Sequence, residues 1–557
     1  MMVRGIGTVL LLSSVGVTAA SSQARVLPAD SIAARIAGII AEGSLPILER
    51  PGFLPIRDQI VRLYQPGADT PLWVRPDGWA TDQANVILGA LLTAPWEGLD
   101  SSDYSAHTLE RMAVRLAVEP TVERVASFDV GLSAAFFRYL SDLHVGRVDP
   151  RVVGFKLDLP VEPHDLASSL RSARETGTVW RLIDEMRPSL PQYDRLRDAL
   201  QRYRALPPDG PDDRIPPVTR SIHPGDDFPA LDVLRRRLLK LGDLADSLGA
   251  RSPSIRYDRD MAGAVRRFQA RHGLDPDGIV GRATIAALNV PLQRRIDQLA
   301  LSLERLRWLP DLGRGPVVIV NIPSFRLLAW DSIPAETGPA LEMSVIVGSA
   351  LDKQTPVFAA KMDHLIFRPY WNVPTSISRE EILPALRSDT TRLERNGMEL
   401  VRGTGEDAVR VAATPENLAL VRTGQLGIRQ RPGPRNALGL VKFMFPNEEN
   451  VYLHDTPVQE LFSRTRRDFS HGCVRVENPV GLAHWALRDT PGWDLGAIRE
   501  AMHGHQPVRV RLTRPIDVLM FYTTAIVPED GTVQFFEDIY GHDERLMAAL
   551  RSGRPGS

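Results

Sequence analysis

The sequence predicts a multidomain α+β protein, and three observations carry that expectation. Its 557 residues exceed what one hydrophobic core serves, and 43% hydrophobic content supplies several. Up to about residue 205, apolar positions recur at three- and four-residue spacing, the period of a helix. After Leu301, short β-branched and aromatic runs separated by Pro, Asn and Gly take over, as in a mainly β domain.

The N-terminus reads as a signal peptide over residues 1–24: Arg4 gives the positive end, Val9 to Val17 the apolar run, and "VTAASSQA" the small residues for cleavage, expected between about Ala20 and Val26. That run is shorter than the roughly 20 residues of a spanning helix, so a soluble exported chain is expected, tied to a membrane only through an uncleaved signal. Residues 25–205 form a helical scaffold, as in "TDQANVILGALLTA" and "SFDVGLSAAFFRYLSDLHVG", without a catalytic cluster. Trp73 and Trp79 in "TPLWVRPDGWA" are expected in its core.

Residues 206–227 are rich in Pro, Asp and Gly and read as a linker. A compact unit of three helices follows over 228–292. "LDVLRRRLLKLG" sets Leu231, Leu234, Leu238 and Leu241 on one face, and "DRDMAGAVRRFQARHG" repeats the device before a tight turn at Asp277 and Gly278. The arginines Arg235 to Arg237 read as a solvated face rather than a nucleic-acid patch. A formal net charge of −1 likewise gives no electrostatic reason for nucleic acid or an anionic membrane as partner.

The β domain spans 301–514, with a polar insertion at about 375–430 placed to cap a cleft, and residues 515–557 add a strand pair joined across Glu529 to Gly531 and a helix. In "NVYLHDT", strand alternation puts Tyr452 and His454 on one face and Val451 and Leu453 on the other, toward the core. Cys473, the only cysteine, follows 19 positions after His454, within reach once the chain turns. An exported chain cannot pair a single thiol internally, so it is an inert buried residue, an intermolecular link or a reactive group. The company of Cys473 favours reactivity: Asn478 and Pro479 start a helix just downstream, Arg475 is a nearby cation, and Gly472 lets the backbone bend. The N–H groups of Gly472 and Cys473 can then point at one oxygen, as acyl transfer requires.

Two other sharp readings are weaker. His454, Asp455, His471 and Cys473 are all zinc-ligand types but lack the paired spacing of common zinc sites. "RPGPRNALG" hints at a phosphate loop, but its prolines lack the N–H groups such a loop needs.

"AVRRFQARHGLDPDGIVGRATIAALN" resembles the three-helix peptidoglycan-binding domain of cell-wall enzymes. "VYLHDTPVQELFSRTRRDFSHGCVRVENP" resembles the signature of the L,D-transpeptidases, and the likeness extends through "PYWNVPTSISREEILP" and "RQRPGPRNALGLVKFMFPN". The order of parts is similar to the large periplasmic L,D-transpeptidases of Gram-negative bacteria. The resemblance implies that Cys473 is the nucleophile and His454 the general base, that Gly472 and Cys473 form the oxyanion hole, and that Tyr452, His471, Arg475, Trp371 and Asn372 meet substrate. It implies peptidoglycan stem peptides and glycan as partners, with other wall synthases as candidate suppliers of substrate. It implies no metal or organic cofactor. The acyl acceptor stays open between a second stem peptide, water and a protein lysine, and a wall-binding scaffold without activity is the reading from another class.

Overall fold

The structure, a computed structural model, describes residues 27–65, 70–157, 165–245, 254–309, 315–333, 338–350, 353–386, 389, 391–403 and 408–552; the expected signal peptide lies outside them. The protein is a multidomain α+β chain, divided into two compact units.

The first unit comprises the chain up to Leu91, Ser102–Phe137 and Ala167–Val179. Its helix Ala29–Glu42 buries Ile32, Ile36, Ile39 and Ile40, one face at helical spacing, and stops at Gly43 in the left-handed region (φ 68°). Asp129, buried on the helix Val122–Val145, accepts hydrogen bonds from Leu72 N (3.1 Å), Trp73 N (2.7 Å) and the Tyr64 hydroxyl (2.7 Å). One turn on, Ser133 Oγ accepts from Trp73 Nε1 at 2.7 Å. The "TPLW" segment is thereby stitched to the helix. Burial raises the Asp129 carboxyl to about 6 despite these donors. Trp73 is fully buried as expected, but Trp79 is 56% exposed. It closes the turn in which Gly78 N donates to Arg75 O, and a turn tip has no second layer over it.

The second unit comprises Leu92–Ser101, Arg138–Leu166 and the chain from Trp180 onward. Helices Leu231–Lys240, Arg259–Arg271 and Arg282–Leu288 close a core of Leu234, Leu238, Val265, Phe268, Ile285 and Leu288. Arg237 departs from the expected solvated face. It is 4% exposed, donates to Leu288 O (2.9 Å) and Val290 O (2.6 Å), and pairs with Asp209 of the linker at 2.5 Å. Helical period fixes the face of Arg237, but the returning linker that covers it is a tertiary contact.

The β domain is built from β1 (Val317–Asn321), β2 (Arg326–Trp330), β3 (Leu341–Gly348), β4 (Phe358–Phe367), β5 (Trp371–Asn372), β6 (Met398–Arg402), β7 (Val409–Val411), β8 (Gly427–Gln430), β9 (Val441–Met444), β10 (Leu453–His454), β11 (Asp468–Ser470), β12 (Val474–Val476), β13 (Val508–Phe521), β14 (Ala525–Ile526) and β15 (Gln534–Phe535). Its main sheet has the order β11-β3-β12-β10-β9-β4-β13-β1-β2, and β2 also pairs with β3, so the sheet closes on itself. The insertion has its own sheet, β5-β8-β6-β7, and its own core around Leu383, Leu400, Val421 and Ile428. β13 runs unbroken past residue 514, so the segment 515–521 is part of the main sheet rather than of the C-terminal addition. The expected small pair is β14 with β15, and the final helix is His542–Ser552.

Candidate active site

Three neighbouring strands build the site. β10 lies between β9, antiparallel, and β12, parallel, with His454 opposite Lys442 on one side and Arg475 on the other. Laterally paired residues share a face, and residues two apart along a strand share it too. Lys442, Tyr452, His454, Cys473 and Arg475 therefore all belong to one face. The alternate residues Val441, Phe443, Leu453, Val474 and Val476 are buried in the core on the other.

Within that face, the register sets Cys473 beside Tyr452, with His454 one rung further along. The backbone N–H and hydroxyl of Tyr452 both favour the ionised sulfur, and the Cys473 thiol points at the Asn450 carbonyl, 3.7 Å away. The Tyr452 and His454 rings meet edge-on with centroids 5.7 Å apart, and Lys442 Nζ sits 3.6 Å from the Tyr452 centroid.

His454 is buried, and its Nδ1 lies 2.5 Å from the Asp455 carbonyl. A carbonyl only accepts, so in the neutral ring Nδ1 carries the proton, and the Leu438 carbonyl also faces the imidazole. Burial, then the Arg475 cation, pushes the imidazole down to about 3, so it is neutral at neutral pH. The Asp455 carboxylate accepts from Leu440 N (2.8 Å) and Thr456 N (2.7 Å), which fixes the residue whose carbonyl orients the ring. Gly439 makes room for it: a Cβ there would collide with the Asp455 carboxylate.

The thiol departs from expectation in one respect. Burial pushes Cys473 above its ordinary value, outweighing the Tyr452 hydrogen bonds and the Lys442 and Arg475 cations, which pull the other way. The Gly472 N–H also departs from its expected role, because it donates to Ser470 Oγ at 3.2 Å instead of facing an open oxyanion position. Gly472 takes φ 109°, where a β-carbon is unfavourable. The loop is braced from behind: Ser470 Oγ donates to Cys473 O (2.5 Å), Thr355 Oγ1 to Gly472 O (2.7 Å), and the Tyr540 hydroxyl to Gly348 O (2.6 Å). Downstream, Asn478 caps the helix Pro479–Leu487 by accepting from Gly481 N at 2.9 Å.

His471 is exposed and turns from the thiol to the insertion, with Nε2 2.6 Å from Glu381 Oε1. Trp371 and Asn372 lie on β5; Trp371 packs on the insertion's core and Asn372 is exposed. Neither is among the contacts of Cys473 described above. The four zinc-ligand types do not converge: His454 faces carbonyls, His471 faces Glu381, and among the described residues no group of three or more His, Cys, Asp or Glu is arranged to hold a metal. Lys442 and Glu381 are the residues that sequence reasoning missed. Lys442 had a signal, since it alternates with buried Val441 and Phe443 on a strand next to His454.

Residues 315–505 match the family model of the L,D-transpeptidase catalytic domain, residues 58–200 that of a scaffold domain, and residues 229–288 that named "Putative peptidoglycan binding domain". The three matched stretches follow one another along the chain in the order scaffold, peptidoglycan-binding and catalytic. It is 31% identical over 252 residues to a Haemophilus influenzae protein named "Putative L,D-transpeptidase", covering 45% of this chain and 49% of that one. The chain thus spans about half the length of that curated relative. A crystal structure of an L,D-transpeptidase from Stackebrandtia nassauensis aligns at 13% identity over 55% of this chain and 97% of its own, with a TM-score of 0.20.

Proposed function

We propose that the chain is a cysteine-dependent peptidoglycan L,D-transpeptidase working in the periplasm, exported by the N-terminal signal. The observation that carries this reading is the shared face of His454 and Cys473, with Nδ1 of His454 committed to the Asp455 carbonyl. That tautomer suits a base whose Nε2 receives the thiol proton.

Sγ of Cys473 attacks the diaminopimelate carbonyl of a tetrapeptide stem as its proton passes to His454. The oxygen left negative is steadied by the Cys473 N–H, and by the Gly472 N–H once that donor leaves Ser470. The imidazolium then protonates the departing D-alanine amine, leaving a thioester. A diaminopimelate amine of a second stem attacks next, gives its proton to His454, and restores the thiol with a cross-link formed. Tyr452, Arg475, His471, Trp371 and Asn372 serve as substrate contacts, and the helical unit at 229–288 holds the enzyme to the wall.

Purified tetrapeptide muropeptides test this. Cross-linked dimers from the wild-type chain and none from Cys473→Ala are expected. Tripeptide alone would move the acceptor to water, and no product from either chain would overturn the enzymatic reading.

A further inference from the structure

Lys442 has no part in the chemistry above, yet it stands in the same rung as His454 and Arg475. Its ammonium rests against the Tyr452 ring, and among the described residues no carboxylate forms an ion pair with it. Arg475 is in a similar state, with Nε buried and without a hydrogen-bond partner among the described residues. Two cations facing one enclosed spot are costly unless something negative arrives there. The group that pulls on both is the Cys473 sulfur.

The usual countercharge for a catalytic thiolate is an imidazolium. His454 does not fill that role at rest, since burial keeps its ring neutral. The other groups around the thiol are the Tyr452 hydroxyl, which burial keeps protonated and which carries no positive charge, and, past the loop, the His471–Glu381 pair with Lys353, which face one another. That leaves the strand cations.

We propose that Lys442 is a positioning residue for the nucleophile: held over the Tyr452 ring, it supplies with Arg475 the standing positive charge against which the Cys473 sulfur ionises. The inference rests on the reading of Cys473 as nucleophile. In the balanced step the S–H bond breaks, its proton goes to His454 Nε2, and the sulfur's negative charge is met by Lys442 and Arg475 until the carbon–sulfur bond forms. Burial lowers the Lys442 ammonium to about 8, with the sulfur pulling it back up. Its charge is therefore present at neutral pH and fades on the alkaline side.

Because Cys473 is the only cysteine, the pH profile of thiolate absorbance or of iodoacetamide alkylation reads this one sulfur. Lys442→Met and Lys442→Gln are two neutral replacements of different shape, and Lys442→Arg keeps the charge. Either neutral variant that folds, checked by circular dichroism, is expected to raise the thiol's midpoint by about one pH unit and slow alkylation at neutral pH about tenfold. Lys442→Arg is expected to stay within about threefold of wild type. Unchanged profiles in the neutral variants, or an Arg variant shifted as far as they are, would overturn the proposal. Failure of the enzymatic reading is distinguishable, as an absence of muropeptide products from a wild-type chain whose thiol titrates as expected.

Discussion

His471 Nε2 lies 2.6 Å from Glu381 Oε1, a contact that ties the loop carrying the thiol to the insertion. Lys353 Nζ reaches the same carboxylate oxygen at 3.3 Å, and the two partners hold Glu381 below the usual carboxylate range against the opposing effect of burial. Glu381→Ala is expected to loosen the insertion and speed alkylation of Cys473 by a bulky maleimide at least about threefold, while small iodoacetamide reacts at an unchanged rate. The ratio of the two rates separates access from reactivity. A ratio equal to that of wild type would show that the contact does not guard the thiol.

His454 and Cys473 share a face of the sheet, and Nδ1 of the ring faces the Asp455 carbonyl. His454→Asn is expected to lower turnover of tetrapeptide about 10²–10⁴-fold, the range for loss of a positioned base, with the fold retained. Imipenem or meropenem should leave one acyl adduct on the wild-type chain by intact-mass spectrometry, because the resemblance implies acylation of the sulfur by these rings. An adduct on Cys473→Ala would refute the assignment of the nucleophile.

Much of the site is legible in the sequence because strand parity is a local rule. Tyr452 and His454 are separated from Leu453 by the period of two alone, and Asn478–Pro479 is a helix start on residue chemistry alone. What the sequence hides is decided by contacts between distant segments. Glu381 meets His471 across 90 positions, and Arg237 is covered by a linker residue 28 positions away. The sign of the Cys473 shift is hidden for the same reason: the motif displays the nearby cation, while the burial that outweighs it comes from several strands at once. Lys442 lies between these cases, because its face can be read from alternation but its nearness to the thiol needs the register of three strands.

Asp129 organises the first unit by accepting from two successive backbone N–H groups and one hydroxyl. Asp129→Ala leaves Leu72 N, Trp73 N and the Tyr64 hydroxyl without this acceptor. Each unsatisfied buried group costs about 1–3 kcal/mol, and the Tyr64 hydroxyl keeps Ser133 Oγ at 2.9 Å, so the two N–H groups set an expected loss of at least about 2 kcal/mol in urea unfolding of that unit. Asp129→Asn keeps one oxygen acceptor and should lose less. Equal midpoints for wild type and the Ala variant would show that these donors find other partners.

His542 provides an acid-sensitive test that leaves His454 and Cys473 untouched. Its ring is buried between Phe155, edge-on with centroids 4.9 Å apart, and Tyr522 at 4.5 Å, and its Nδ1 has no hydrogen-bond partner among the described residues. Burial, with Arg545 and Arg305 adding to it, lowers the imidazole to about 3. The unfolded chain has a histidine near the ordinary value of about 6.5, so between these limits the unfolded state binds more protons than the folded one. This contribution to stability is complete above about pH 6.5 and is lost as pH falls toward 3, by up to about 1.4 kcal/mol per pH unit. His542→Phe keeps the aromatic packing and the backbone bond from residue 542 to Asp538, and removes the titrating group. Buried His272 and His454 stay in both chains, so the difference between the chains isolates position 542. Between pH 7.5 and pH 5.0 the wild type is expected to lose about 2 kcal/mol more than the variant, a gap of a few degrees in Tm. Equal drops in the two chains would mean that His542 keeps its ordinary affinity for a proton when folded, and that acid sensitivity arises elsewhere.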